Sequence, residues 1–199
     1  MDREFEIERT VDVAALTWPT REIASGEDGE SVNRGYVDLR GFSWRKVKES
    51  LALEEAFLKR LATEGGTDGD DEITDDESEQ LLCLDVGVAS VVFALSAAHC
   101  VSVTSCRGGE GHAEAHPLVV FRCRQARVPD LLEAAEEAGC GLVNVDGGML
   151  MVYAEDVGQM LGFARAIWAR RHALRRLRVR GKKRRNTVPP EQLSFDSVT

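Results

Sequence analysis

Three residues with metal-binding side chains alternate near the middle of this 199-residue chain: His112, Glu114 and His116. In an extended segment alternate residues share one face, so the three side chains would point the same way. Two imidazoles and a carboxylate suit a catalytic zinc ion or a non-haem iron ion. Pro117 favours an extended His116, and Cys106 lies close enough in sequence to add a ligand. The alternative interpretation is a solvated loop whose polar residues have no special role.

Cys106 is also a candidate nucleophile, and the neighbouring Ser105 is a second one. Cys106 lies in a glycine-rich turn of the kind that exposes a side chain and offers backbone N–H groups to an anion. A thiolate nucleophile needs a base or a positive neighbour, which Arg107 or His112 would supply. The common nucleophile-elbow, Walker and dinucleotide-binding motifs do not occur in the sequence. Because no catalytic set is complete, the sequence leaves open whether the protein is an enzyme.

The strongest compositional signal is a basic segment from Trp168 to Arg185, which contains ten Lys or Arg residues and no acids. If this segment is helical, Ile167, Leu174 and Leu177 stay on the buried side. Such segments neutralise phosphates, which predicts salt-dependent binding to RNA or DNA. The alternatives are an acidic protein partner, an anionic membrane surface and a solubilising tail. The candidate binding residues are Arg170, Arg171, Arg175, Arg176, Arg178, Arg180, Lys182, Lys183, Arg184 and Arg185.

The net charge, an acidic block and the cysteines limit the class of protein. The net charge is −9, and eight acids without a base lie between Thr67 and Gln80. This block lacks the spacing of an EF-hand calcium loop, so we expect a solvated acidic loop over residues 65–79. The five cysteines form no Cys-x-x-Cys pair, the N-terminus lacks the pattern of a secretory signal, and no apolar run is long enough to span a bilayer. These features predict a cytoplasmic protein with reduced thiols and no transmembrane segment.

The periodicity of apolar residues predicts the order of the elements. A helix begins at Ser43 and ends at Gly65, and an almost wholly apolar helix follows over residues 80–98. From there the order is α-β-β-α-β-β-α, with the last two strands at Gly141–Val145 and Met149–Tyr153 joined by a tight turn. This order predicts an α+β fold with a mainly antiparallel four-stranded sheet and helices on one face.

Three regions are expected along the chain. Residues 1–41 form an N-terminal arm that packs loosely on the body or orders only against a partner, with candidate short edge strands at residues 4–8 and 36–39. Residues 42–168 form the α+β domain, and residues 169–199 form a basic helix extension and tail.

The segment Thr-Ser-Cys-Arg-Gly at residues 104–108 follows a buried helix and a short strand. It resembles the Thr-Ser-Ser-Cys-Ser-Gly-Arg segment of the tRNA wybutosine-synthesis methyltransferase family. The strand Val-Val-Phe-Arg-Cys-Arg at residues 119–124 is similar to that family's apolar strand ending in Cys-Arg, and the similar stretch covers about residues 55–155. The chain departs from the family at Gly109, where the family has arginine, and in a much shorter segment between the two strands. The resemblance implies the topology and, as an activity, S-adenosylmethionine-dependent methylation of tRNA.

Two classes of function are therefore expected. The first is a non-catalytic accessory or interaction module that contacts nucleic acid or an acidic protein through the basic segment. The second is an enzyme with its site in the loop from Cys106 to His116, either a tRNA-modifying methyltransferase relative or a metal-dependent enzyme. S-adenosylmethionine or a divalent metal is a cofactor only in the second class. The incomplete catalytic sets favour the module.

Overall fold

The structure, a computed structural model, describes residues 5–18, 43–64 and 74–175. Helix α1, Trp44–Glu64, begins where Ser43 accepts a hydrogen bond from the backbone N–H of Lys46 at 3.2 Å. This confirms the predicted cap and helix, because an N-cap hydroxyl satisfies a donor that the first turn leaves unpaired. One face of α1 is buried through Trp44, Val47, Leu51 and Phe57.

The described part of the acidic block is helical where a loop was predicted. Helix α2, Asp75–Gln80, begins at a capping box formed by Thr74 and Glu77. Acids in the first turn suit the positive end of the helix dipole, and the Glu77 carboxylate pairs with Arg60 at 2.9 Å. Residues 65–73 of the predicted loop lie outside the described residues.

Helix α3, Ala89–Ala97, is shorter than the helix predicted over residues 80–98. Leu82, Cys83 and Gly87 have φ values of 56°, 57° and 98°, which no right-handed helix adopts. The prediction was wrong because an almost continuous apolar run has no period that would reveal a turn. All nine residues of α3 are buried, so this helix forms the centre of the core.

The sheet confirms the predicted α+β class. Its strands are β1 (Val101–Cys106), β2 (Leu118–Arg122), β3 (Gly141–Val145) and β4 (Met149–Tyr153). The four strands are all antiparallel in the order β1-β2-β4-β3. Helices α4, Val128–Ala138, and α5, Val157–Ala169, follow β2 and β4 respectively.

One face of the sheet is buried with the helices in a single core. Successive residues of a strand point to opposite faces, and the buried residues alternate with half-buried ones along β2 and β4. The buried set on this face is Val119, Phe121, Leu142, Leu150 and Val152.

The described part of the N-terminal arm is hydrogen-bonded to the β3–β4 hairpin rather than loosely packed. The backbone N–H of Leu142 donates to the carbonyl of Glu8 at 2.8 Å, and that of Thr17 donates to Gly148 at 3.0 Å. The Tyr153 hydroxyl donates to the carbonyl of Glu6 at 3.1 Å. Residues 5–8 form no strand, so the first predicted edge strand is wrong; the second lies outside the described residues.

Candidate metal centre

Three potential metal ligands converge at Asp85, Cys106 and His112. One ligand atom from each side chain lies within 4.8 Å of the other two. Nδ1 of His112 is 4.0 Å from Oδ2 of Asp85, and their side chains are 16% and 38% exposed. Within the described ranges this is the one group of three or more such residues. The cluster is therefore partly open to solvent.

The chain path explains this convergence. Asp85 lies in the turn before α3, and its carbonyl accepts the backbone N–H groups of Val88 and Ala89 at 3.3 and 3.2 Å. Helix α3 leads directly into β1, and Cys106 is the last residue of that strand. The chain thus reverses between Asp85 and Cys106, and His112 is added by the glycine-rich loop that joins β1 to β2.

Two consecutive backbone amides hold the ligand side chains. The N–H of Arg107 donates to Oδ2 of Asp85 at 3.2 Å, and the N–H of Gly108 donates to Sγ of Cys106 at 3.4 Å. Gly108 has φ of 71°, and a Cβ at this position would lie 2.4 Å from the carbonyl carbon of His116. Only glycine fits at position 108, and this glycine allows the amides of Arg107 and Gly108 to orient the ligand side chains.

The turn before Asp85 has strained backbone. Leu82 and Cys83 adopt left-handed φ values although neither is glycine, and Leu82 is 50% exposed. A left-handed non-glycine residue costs about 1–2 kcal/mol. The turn is held by the N–H of Cys83, which donates to the carbonyl of Ser78 at 2.9 Å. This strain lies directly beside a potential metal ligand, where a functional site often places it.

The metal set predicted from the sequence, His112, Glu114 and His116, is not assembled as such. The segment turns instead of extending: the N–H of Gly109 donates to Glu114 and the N–H of His112 donates to Gly109. Because the chain is not extended, alternate residues do not share a face. Of the three predicted residues, His112 belongs to the cluster. Cys106, which was expected as an additional ligand, belongs to it as well.

The other candidates of this loop lie away from the cluster. The His116 ring contacts the Phe5 ring with a centroid distance of 4.4 Å, and its Nδ1 is 3.5 Å from the carbonyl of Glu155. Ser105 pairs with Val119 in the sheet, on the face opposite to that of the adjacent Cys106. Ser105 therefore does not join Cys106 in one site.

No sequence pattern pointed to Asp85 as a ligand. This residue lay inside the predicted helix over residues 80–98, and no motif spacing connects it with Cys106. Only the reversal of the chain through α3 and β1 brings the two side chains together.

Three of the predicted nucleic-acid-binding cations lie in the described part of the chain. Arg170 pairs with Glu137 at 2.7 Å and with Glu133 at 3.5 Å, which ties α5 to α4. The guanidinium of Arg171 lies 3.9 Å from the centroid of the Trp168 ring, whereas Arg175 is exposed. The remaining candidates, Arg176, Arg178, Arg180, Lys182, Lys183, Arg184 and Arg185, lie outside the described residues.

The donor set determines what the cluster can do. Sulfur, nitrogen and oxygen donors together suit zinc, which accepts all three, and a site with three protein ligands keeps one position open.

No family model, curated protein or solved structure matches the chain. The resemblance to the wybutosine-synthesis methyltransferases therefore stays a prediction. Among the described residues, no helix is both long and apolar enough to cross a membrane.

Proposed function

We propose that this protein binds a zinc ion through Asp85, Cys106 and His112 and leaves one coordination position open. The observation that supports this is the convergence of three different ligand types from three separate segments of the chain. Ligand atoms of a tetrahedral zinc site lie about 3.5 Å apart, given metal–ligand distances of 2.0–2.3 Å. The 4.0 Å separation of His112 and Asp85 therefore needs only a small closure on binding.

Such a site would suit a metal-dependent enzyme, because a zinc ion held by these residues would lower the pKa of a bound water and polarise a substrate oxygen. Two backbone amides of the chain orient the ligands of this site. The Arg107 amide fixes the carboxylate, and the Gly108 amide fixes the sulfur and stabilises its charge. The half-buried position excludes part of the solvent from around the ion.

The test is zinc and cobalt titration of metal-free protein, with cobalt absorption reporting a thiolate ligand. We expect one ion per chain in the wild type and an affinity at least about tenfold lower in Asp85→Asn, Cys106→Ser and His112→Gln. Glu114→Gln is the matched control, because that residue belongs to the predicted set but not to the cluster.

Unchanged affinity in the Cys106 and His112 variants would refute the proposal. If the wild type binds no zinc and alkylation of Cys106 depends on His112, the same three residues instead form a thiol nucleophile, base and orienting carboxylate.

We also propose that the basic segment contacts RNA or DNA, the ligand predicted from its ten cations without an acid. Its start is anchored, since Nη1 of the buried Arg127 donates to the carbonyl of Leu174 at 2.5 Å. This anchoring leaves Arg175, the next residue, exposed at the surface. The described part of the segment can therefore present a cation to a ligand.

Binding of tRNA, single-stranded RNA and duplex DNA is measured across a salt series. Combined replacement of Arg175, Arg176, Lys182 and Lys183 by Gln is expected to weaken binding and flatten its salt slope. Arg45→Gln, a surface change on α1, is the control. An unchanged slope in the fourfold variant would refute this role, and binding only to an acidic protein would favour the alternative partner.

The methylation of tRNA implied by the family resemblance is a separate proposal. It predicts that the purified full chain binds S-adenosylmethionine. Calorimetric titration tests this directly, and the absence of binding in the presence of tRNA would dispose of it.

A further inference from the structure

Two cysteines face each other across the base of the β1–β2 pair. Val101 of β1 is paired with Arg122 of β2 in antiparallel register, so Cys100 lies opposite Cys123 one position further along. The backbone N–H of Cys100 donates to the carbonyl of Leu95 rather than across the ladder. The two cysteines therefore occupy a non-hydrogen-bonded pair, the kind in which opposite side chains approach most closely.

The spacing of such a pair fits a disulfide. Opposite residues of a non-hydrogen-bonded pair have Cα atoms about 4.5 Å apart, within the range of 4.4–6.8 Å that disulfides occupy. The Cys123 side chain is close enough to the Cys100 thiol to raise the pKa of that thiol, and both residues are buried. The register of the two strands therefore places the pair within the spacing that a disulfide requires.

The surroundings of the pair include a buried cation. The guanidinium of Arg127 interacts electrostatically with both sulfurs. The neighbouring Cys123 side chain and burial nevertheless raise the pKa of the Cys100 thiol well above its ordinary value. Cys100 is therefore a thiol at neutral pH, and its oxidation is slow there and faster as the pH rises.

We propose that Cys100 and Cys123 form a reversible disulfide when the protein meets a small peroxide oxidant. One thiolate attacks a peroxide oxygen, the O–O bond breaks, and a sulfenic acid forms with release of water after proton uptake. The second sulfur then attacks the sulfenic sulfur, the S–S bond forms and a second water leaves. Both electrons pass from the two sulfurs to hydrogen peroxide, and any dithiol reductant reverses the reaction.

The bond would join the two ends of the segment that carries Cys106 and His112. That segment includes β1, the glycine-rich loop and β2. A cross-link at its base restricts the unfolded chain and fixes the register of the two strands. The oxidised protein is therefore expected to melt several degrees higher than the reduced protein.

The experiment uses the full chain with Cys83→Ser and Cys106→Ser, which removes the two cysteines that are not buried and retains three thiols. After treatment with hydrogen peroxide under native conditions, thiols are counted in denaturant. We expect the count to fall to one, with loss of two hydrogen masses and a chymotryptic peptide pair linking Cys100 to Cys123.

Cys140 provides the matched control. It is buried too, with its pKa raised by burial to about 12, but its sulfur contacts the carbonyl of Gln159 at 3.4 Å. Adding Cys140→Ser must leave the cross-link intact, and adding Cys123→Ser must abolish it. Three remaining thiols, a link that includes Cys140, or a link formed only after loss of near-ultraviolet circular dichroism would overturn the proposal. The first measurement needs no change at Cys100 or Cys123, so it does not depend on whether those variants fold.

Discussion

Glu54 of α1 places a carboxylate at the N-terminus of the buried helix α3. It accepts the backbone N–H groups of Gly87, Ala89 and Ser90 at 2.7, 3.1 and 2.9 Å, and the Ser90 hydroxyl as well. The residue has no exposed surface. Burial raises the pKa of Glu54 from 4.5 to about 6, although all of these hydrogen bonds lower it. Removal of the carboxylate charge should therefore change how stability depends on pH.

The expected change in unfolding free energy follows from the shift in the pKa of Glu54. A rise from 4.5 to about 6 corresponds to about 2 kcal/mol. Because the folded state binds this proton more tightly than the unfolded state, the contribution is full below about pH 4.5 and is lost as the pH rises through about 6. Glu54→Gln keeps the shape and loses the titration, so the difference in unfolding free energy between wild type and variant should fall by about 2 kcal/mol across this window.

The assay is urea unfolding of both proteins at several pH values on either side of the window. Glu55→Gln, one residue along and exposed in its ion pair with Arg165, is the control and should follow the wild type. Parallel pH profiles for wild type and Glu54→Gln would refute the assignment of the titration to Glu54.

Three further substitutions test the geometry of the loop, the turn and the arm. Gly108→Ala should lower zinc affinity, because the added Cβ meets the His116 backbone at 2.4 Å. It should also destabilise the fold by more than about 1 kcal/mol, the cost of a left-handed non-glycine residue, and a fully stable variant would contradict this. Leu82→Asn should raise the free energy of unfolding in denaturant by up to about 1 kcal/mol, because asparagine tolerates the left-handed region. Destabilisation would show that the contacts of the Leu82 side chain stabilise the fold by more than its backbone strain costs. Tyr153→Phe should speed amide hydrogen exchange at Glu8, whose N–H donates to the hydroxyl at 2.9 Å, and unchanged protection there would show that other contacts hold the arm.

The second half of the fold was predictable because its signals are local. Gly139, with φ of 72°, ends α4, and Gly147 and Gly148 turn the β3–β4 hairpin with positive φ. The bounds of β3 and β4 agree with the prediction. Each of these boundaries depends on a few neighbouring residues, so a single sequence is enough to locate it.

The first half was less predictable because its elements depend on distant partners. Helix α3 begins where the carboxylate of Glu54, more than thirty residues earlier, meets its N–H groups. Its own N-cap residue, Val88, provides no side-chain hydrogen bond. A local pattern therefore shows that a buried helix exists but not where it starts.

The prediction of the metal ligands was wrong for a related reason. The period-two pattern of His112 and His116 predicts a shared face only if the segment is extended, and glycines with positive φ at 108, 109 and 111 turn it instead. The ligand that replaces the expected ones, Asp85, comes from another segment. A residue's type and spacing identified Cys106 and His112, whereas the third member depends on tertiary structure.

The turn at Leu82 and Cys83 has two consequences that can be separated. It places Asp85 beside Cys106, and it ends the preceding segment so that α3 begins where Glu54 can cap it. If the strain serves the metal site, Asp85→Asn should lower zinc affinity at least about tenfold with little loss of stability in the metal-free protein, since the half-buried carboxamide keeps an oxygen that can accept the Arg107 N–H. Glu54→Gln should change the pH dependence of stability and leave zinc affinity intact, because its carboxylate contacts the helix terminus and not the cluster. Loss of zinc affinity in both variants, measured at equal folded fraction, would mean that the site depends on the position of α3 as a whole and that the turn has one structural role.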